Sequence, residues 1–335
     1  MSENTSGRSA ARDCGLDNLR FFLIFTVVFA HLLEVSGTFD GREMMYQVIY
    51  SFHMPAFLFL LGYNARFSIR RIVFRWAIPY AVFQTLYIVF RNLVLKDGAD
   101  FQYVVPYWIL WYMLVGLFYQ ALLPLFDRLK GRAQGAAVFC AYVVSIASGY
   151  APFLGYWLSL SRFFVFLPWF LLGRLIRTNG GLDRLRAGKK AAASLGALSA
   201  MGIIASAAFL KWATLPNELL YGSVSYSACG AFAWMRLAVS VCALFWMYFL
   251  FVFIRPFINK NIPLLTAIGQ NTLPVFLLHG LIVKAFTLWN GAFPLSLPGV
   301  FLISAALLTL LGNRALSKAV YFIGLMWTEK LWGGV

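Results

Sequence analysis

Acidic side chains are scarce in this sequence: 335 residues carry 12 Asp and Glu against 28 Lys and Arg, and charged residues of both signs make up only 12%. A soluble domain holds roughly 25% charged residues, so this composition belongs in lipid. The carboxylates are too few and too peripheral for a hydrolase that works with a carboxylate pair. Histidine occurs three times and cysteine four times (Cys14, Cys140, Cys229 and Cys242), with no metal-ligand spacing, so neither a metal centre nor a disulfide framework is expected. A Walker loop and a dinucleotide fingerprint are both missing. The net charge of +16 invites a nucleic-acid reading until the basic residues are located. They fall in short loops between apolar spans, with no basic stripe or arm, and a nucleic-acid partner is excluded.

Long apolar runs dominate instead. Runs able to cross a bilayer occupy residues 19–36, 46–64, 72–92, 104–126, 135–150, 157–176, 191–211, 230–254, 262–285 and 297–313, the fifth and tenth being short for a crossing. Backbone groups in lipid must pair within their own segment, so the fold expected is all-α: a polytopic helical bundle of about ten transmembrane helices. No repeat is visible, and paired broken helices of the transporter kind are not expected. The even-numbered connections hold Arg66, Arg70, Arg71, Arg128, Lys130, Arg132, Arg174, Arg177 and Lys260, whereas the odd ones hold little more than Arg42, Arg91, Lys96 and Lys211. By the positive-inside rule both termini face the cytoplasm. The first span is expected to be retained, giving a polar tail over 1–15, a membrane domain over 16–327 and a short cytoplasmic tail over 328–335 in a multi-pass protein of the cell membrane.

The first span carries two ionisable groups that lipid disfavours. Arg20 and His31 are eleven residues apart, close to three helical turns, so they share a side, with the imidazole about 16 Å deeper. Buried ionisable groups in membranes usually face a cavity, so the arrangement reads as an anion holder at the inner surface with a proton acceptor beyond it. The alternative is a histidine that only hydrogen-bonds a neighbouring helix. Glu34, one turn further on, either orients the imidazole as the acid of a triad does or caps the helix in water. The inward run of span two sets His53 at a similar depth, and span nine puts His279 in its outer half with Asn271 near its middle. His53 and Asn271 also sit beside Pro55 and Pro274, where a side chain can satisfy a disrupted helix. Arg162, near the outer end of span six, needs a carbonyl, an aromatic face or an anion. Arg71 and Arg75 open span three on one face at the inner surface, serving as lipid anchors or as a site for a phosphate-rich cytosolic ligand. Trp108 and Trp111 read as belt residues or site walls, the belt being favoured for Trp111.

With these residues placed, the chain resembles the integral-membrane acyltransferase-3 family, and within it the fucose 4-O-acetylase-like branch. The likeness rests on LDNLR followed by the arginine, ten residues, histidine spacing of Arg20 to His31, on SFHMPAFLFLLGY, on SRFFVFLPWFLLG and on GQNTLPVFLLHG, and it runs over about residues 16–285. Two departures stand out. Leu61-Gly62 replaces the usual Ser-Gly, and Arg71 and Arg75 are one residue wider than the Arg-x-x-Arg pattern of span three. The resemblance implies transfer of an acyl group, commonly acetyl, from cytosolic acyl-CoA as co-substrate, with no bound cofactor, to a hydroxyl of an extracytoplasmic carbohydrate or glycolipid. Arg20 with Asp17, Arg71 and Arg75 would serve the donor, and His31 with Glu34 the chemistry. His53, Trp108, Arg162, Asn271 and His279 would serve the acceptor or the oxyanion. A transporter or flippase of an envelope glycan is the competing class, and a sensor without chemistry a third.

Overall fold

The computed structural model describes residues 12–185, 189–213, 215–289, 295–320 and 322, all of its regular elements there being helical. Most of the expected N-terminal tail and all of 328–335 lie outside the described residues. Among the described residues eight helices are long and apolar enough to cross a membrane: α1 (Cys14–Glu34), α2 (Arg42–Tyr63), α3 (Ile69–Leu95), α4 (Trp108–Arg128), α5 (Arg132–Tyr150), α6 (Trp157–Thr178), α7 (Ala191–Ala213) and α8 (Ala233–Ile254). Two bent pairs follow, α9 (Pro263–Gln270) with α10 (Thr272–Phe286), and α11 (Leu297–Leu311) with α12 (Arg314–Val320). Counting each pair as one span gives ten. The fifth, at 19 residues, is a full helix.

Burial ranks these helices. In the apolar window of α1, 78% of residues are inside the protein, against 22% for α7, so α1 is the axis of the bundle and α7 a lipid-facing staple. Leu16, Leu19, Leu23, Val27 and Ala30 follow the three-four spacing of one helix face and are all buried. Asp13 caps α1, its carboxylate accepting from the Leu16 amide at 3.1 Å. Between α2 and α6 the backbones nearly touch. A Cβ at Gly62 would strike the Phe170 carbonyl, and one at Gly173 the Phe59 carbonyl. That crossing explains why the glycine of Leu61-Gly62 is the indispensable half of the pair: small residues let membrane helices close on one another.

The ninth span departs from expectation. The break expected at Pro274 is present but lies elsewhere: the chain bends by 80° between α9 and α10. Pro274 is not the break itself. It lies in the first turn of α10, where its missing N–H costs little. The break is at Asn271, whose side-chain amide donates to the Ala267 carbonyl at 2.7 Å and closes the last turn of α9. The bend lays α9 against the inner end of α1, where Gly269 rests on the Asp17 carbonyl with no space for a Cβ. Asn271 therefore stands at the end of the bundle where α1 begins, not near its middle. The tenth run, 297–313, is one helix, α11, and a 67° bend to α12 falls at its end.

Candidate functional site

The first turns of α1 explain the LDNLR segment residue by residue. Leu16 and Leu19 enter the core. Asn18 donates to the Ile258 and Lys260 carbonyls at 2.7 and 3.0 Å and accepts from the Thr266 hydroxyl at 2.7 Å, clamping α1 to α9. Asp17 is buried and accepts from Arg12 Nε at 2.6 Å, from Gln270 Nε2 at 3.1 Å and from Arg20. Expected on the donor side, Asp17 in fact points its carboxylate at Arg20 and its neighbours and lines neither of the two cavities described below. What it does is hold the Arg20 guanidinium in place.

Arg20 opens onto a cavity of about 340 Å³ between α1, α2, α3, α4 and α10. Arg66, Arg71 and Arg75 line the same cavity with Asn64 and Gln120, and no carboxylate is among the lining residues. Arg66 and Arg71 form no ion pair among the described residues. The wider Arg71–Arg75 spacing has a local explanation. Residues Val73–Ala77 form a π-helical turn, which takes up one more residue than an α-turn, so both guanidinium groups still reach one cavity. A lining that gathers four arginines and no carboxylate can hold an anion, by field and by geometry.

Beyond it lies a second chamber of about 130 Å³, lined by His31, Glu34, Tyr50, His53, Trp108, Trp111, Arg162 and Tyr221. Val27, Met54 and Phe276 line both spaces. The arginines and the imidazole thus face adjoining spaces with one three-residue apolar waist between them.

The chamber is wired around Glu34. Its Oε1 faces His31 Nδ1 at 3.1 Å and accepts the hydroxyls of Tyr46 at 2.9 Å and Tyr50 at 2.6 Å. Tyr46 bonds in turn to Tyr221, a phenol in the loop between α7 and α8 whose pKa burial pushes up to about 12, so it remains a neutral hydroxyl. A carboxylate beside Nδ1 assigns the proton to that nitrogen and leaves the lone pair on Nε2. Of the two readings of Glu34, the geometry matches orientation of the imidazole. Trp108 packs its indole edge-on to His31 at 4.5 Å between centroids, from a backbone with φ of +40°, a region that an aromatic residue occupies only when its surroundings compel it.

The three histidines, placed by sequence only at a common depth, also meet laterally. His279 stacks on His31 at 5.5 Å, and His53 lines the same chamber. His53 Nδ1 pairs with the Ile49 carbonyl at 2.7 Å and His279 Nδ1 with the Val275 carbonyl at 2.8 Å, one turn back in each helix. Both rings are thereby fixed as Nδ1–H tautomers. Arg162 finds two of the partners it required: its Nε donates to the Tyr221 carbonyl at 3.2 Å, and Trp111 and Tyr156 offer their faces. Trp111 is consequently a buried chamber wall, not a belt residue. Asn271 lines neither cavity, and its amide is committed to α9. Sequence reasoning missed Tyr46, Tyr50 and Tyr221. The signal present was Tyr46 and Tyr50 at helical spacing just ahead of His53.

Among the described residues no three His, Cys, Asp or Glu side chains are grouped to hold a metal ion. An imidazole paired with a carboxylate adjoins, across a narrow apolar waist, a cavity lined by arginines, within a bundle of membrane-length helices. The chain belongs to the acyltransferase-3 family, whose acyltransferase-domain model matches residues 14–316. Comparison with curated proteins and with solved structures gives no match.

Proposed function

We propose that this membrane acyltransferase moves an acetyl group from cytosolic acetyl-CoA to a hydroxyl of a carbohydrate or glycolipid on the far side of the cell membrane. The carrying observation is the adjacency of the arginine-lined cavity and the His31 chamber, joined at Val27, Met54 and Phe276. In the orientation given by the loop charges, the phosphates of the donor meet Arg20, Arg66, Arg71 and Arg75, and the pantetheine arm passes the waist to carry its thioester to His31. The likeness of three internal segments to the fucose 4-O-acetylase-like branch supports a sugar hydroxyl as acceptor.

His31 Nε2 takes the proton of the acceptor hydroxyl as the oxygen bonds to the thioester carbon. The tetrahedral intermediate carries its negative charge on the former carbonyl oxygen, and the Arg162 guanidinium is the cation available within the chamber. Collapse breaks the carbon–sulfur bond, and the imidazolium returns its proton to the departing thiolate. Glu34 and Tyr50 keep the ring oriented and stabilise its charged form. General-base assistance of this kind contributes about 10²–10⁴-fold. Four arginines and three histidines at two depths serve two substrates that never share a compartment.

The test uses purified protein in sealed vesicles, with labelled acetyl-CoA on the arginine side and an envelope glycan extract on the other. Labelled ester on the glycan, lost in His31→Ala, is the expected result. Passage of unmodified glycan without ester formation would establish the transport reading in its place.

A further inference from the structure

Outside the waist and both cavities, Arg236 is a buried charged group near the outer end of α8, with 4% of its surface exposed. Its Nε, Nη1 and Nη2 are all buried and none has a hydrogen-bond partner. It forms no ion pair among the described residues. The Tyr226 ring covers the guanidinium face at 5.0 Å. A ring over the face leaves the in-plane N–H donors as they were, since all five point outward in the plane of the group. An arginine does not shed its proton to escape burial, and an uncompensated charge in the outer half of a bilayer is expensive.

The same side chain lines a cavity of about 30 Å³, with Tyr50, Ser51, Ser145, Trp169 and Ser240 among its walls. The hydroxyl protons of Ser51, Ser145 and Ser240 go to the backbone carbonyls of Val48, Val165 and Arg236 at 2.7–2.8 Å. The guanidinium is therefore the charged donor of this cavity. A water needs about 10–15 Å³, so the space takes one or two water-sized particles and excludes a phosphate ester, a sugar or a lipid headgroup. Water would occupy the N–H groups but would leave the positive charge unbalanced. Tyr50, Phe166 and Leu220 also wall the His31 chamber, so the small cavity adjoins that chamber and lies apart from the donor arginines.

We propose that Arg236 holds a small inorganic monovalent anion of chloride size, a site separate from both substrate cavities. The full-length purified protein is compared in chloride, bromide and gluconate at one sodium concentration, gluconate being too large for the cavity. Chloride and bromide are expected to raise the melting temperature by roughly 3 °C or more over gluconate and to broaden the chloride magnetic resonance, as ligands of the native state do. Both effects vanish in Arg236→Met and persist in Arg162→Met. Equal melting in all three anions, with a chloride linewidth no greater than that of buffer, overturns the proposal and leaves a water-filled site. Loss of the effect in Arg162→Met alone overturns it as well, by moving the anion to the other chamber. Where Arg236→Met does not fold, displacement of the chloride signal by bromide but not gluconate in the unmodified protein supports the site, and its failure overturns it.

Discussion

The inner cavity and the outer chamber are built on opposite plans. The inner one is wide, about 340 Å³, and its lining presents four arginines and no carboxylate, with Asp17 holding Arg20 from behind. The outer one is about 130 Å³, and Glu34, His31, Tyr46, Tyr50 and Tyr221 are bonded into one network before any ligand arrives. Charge without fixed partners suits recognition, in which several geometries serve and affinity rises with each contact. A locked network suits chemistry, in which small displacements cost rate. On the proposed reading the difference separates binding from catalysis, and substitutions on either side test this.

The largest effect is expected from His31→Ala, which removes the proton acceptor while the arginines remain. Acetyl transfer should fall by about 10³-fold or more, with CoA affinity within about twofold, measured by turnover and by equilibrium binding in the same preparation. Proportionate loss of both would erase the distinction. Glu34→Gln comes next. It preserves shape but removes the carboxylate facing Nδ1, so kcat should drop by about 10²-fold with little change in KM for the donor. Paired substitution Arg71→Ala with Arg75→Ala should act the other way, raising donor KM by about 10- to 100-fold while saturated kcat stays within about threefold, and should flatten the salt dependence of KM. A collapse of kcat in that variant would tie the arginines to the chemical step. Tyr50→Phe is the smallest, about 5- to 10-fold in kcat, because Tyr46 still donates to Glu34.

How much of this was readable from residues alone follows a physical line. The Arg20–His31 relation lies within a single helix, so a repeat of 3.6 residues sufficed to set both on one side and at two depths. The likeness of depth among His31, His53 and His279 followed from loop charges, but their lateral meeting needed the packing of α1, α2 and α10. Tyrosine was harder. In an apolar span Tyr46 and Tyr50 read as aromatic bulk, and their hydroxyls acquire meaning only once Glu34 is seen within 3 Å. Trp111 and Asn271 were misplaced for reasons of the same kind. A belt and a chamber wall use identical side chains, and an 80° bend at Asn271 displaces the residues on its near side that a straight helix would have positioned by count. Arg236 left no pattern at all, being one arginine in a run of apolar residues whose neighbours come from distant helices.

The apolar waist of Val27, Met54 and Phe276 has a consequence for the cell as well as for the reaction. On the proposed reading a flexible thioester arm threads this point while the charged head of the donor stays behind, so only the acetyl group changes compartments. Hydrated ions find no string of polar groups across those three side chains. On that reading the protein can draw on a cytosolic metabolite without discharging the electrical potential that the same bilayer must store.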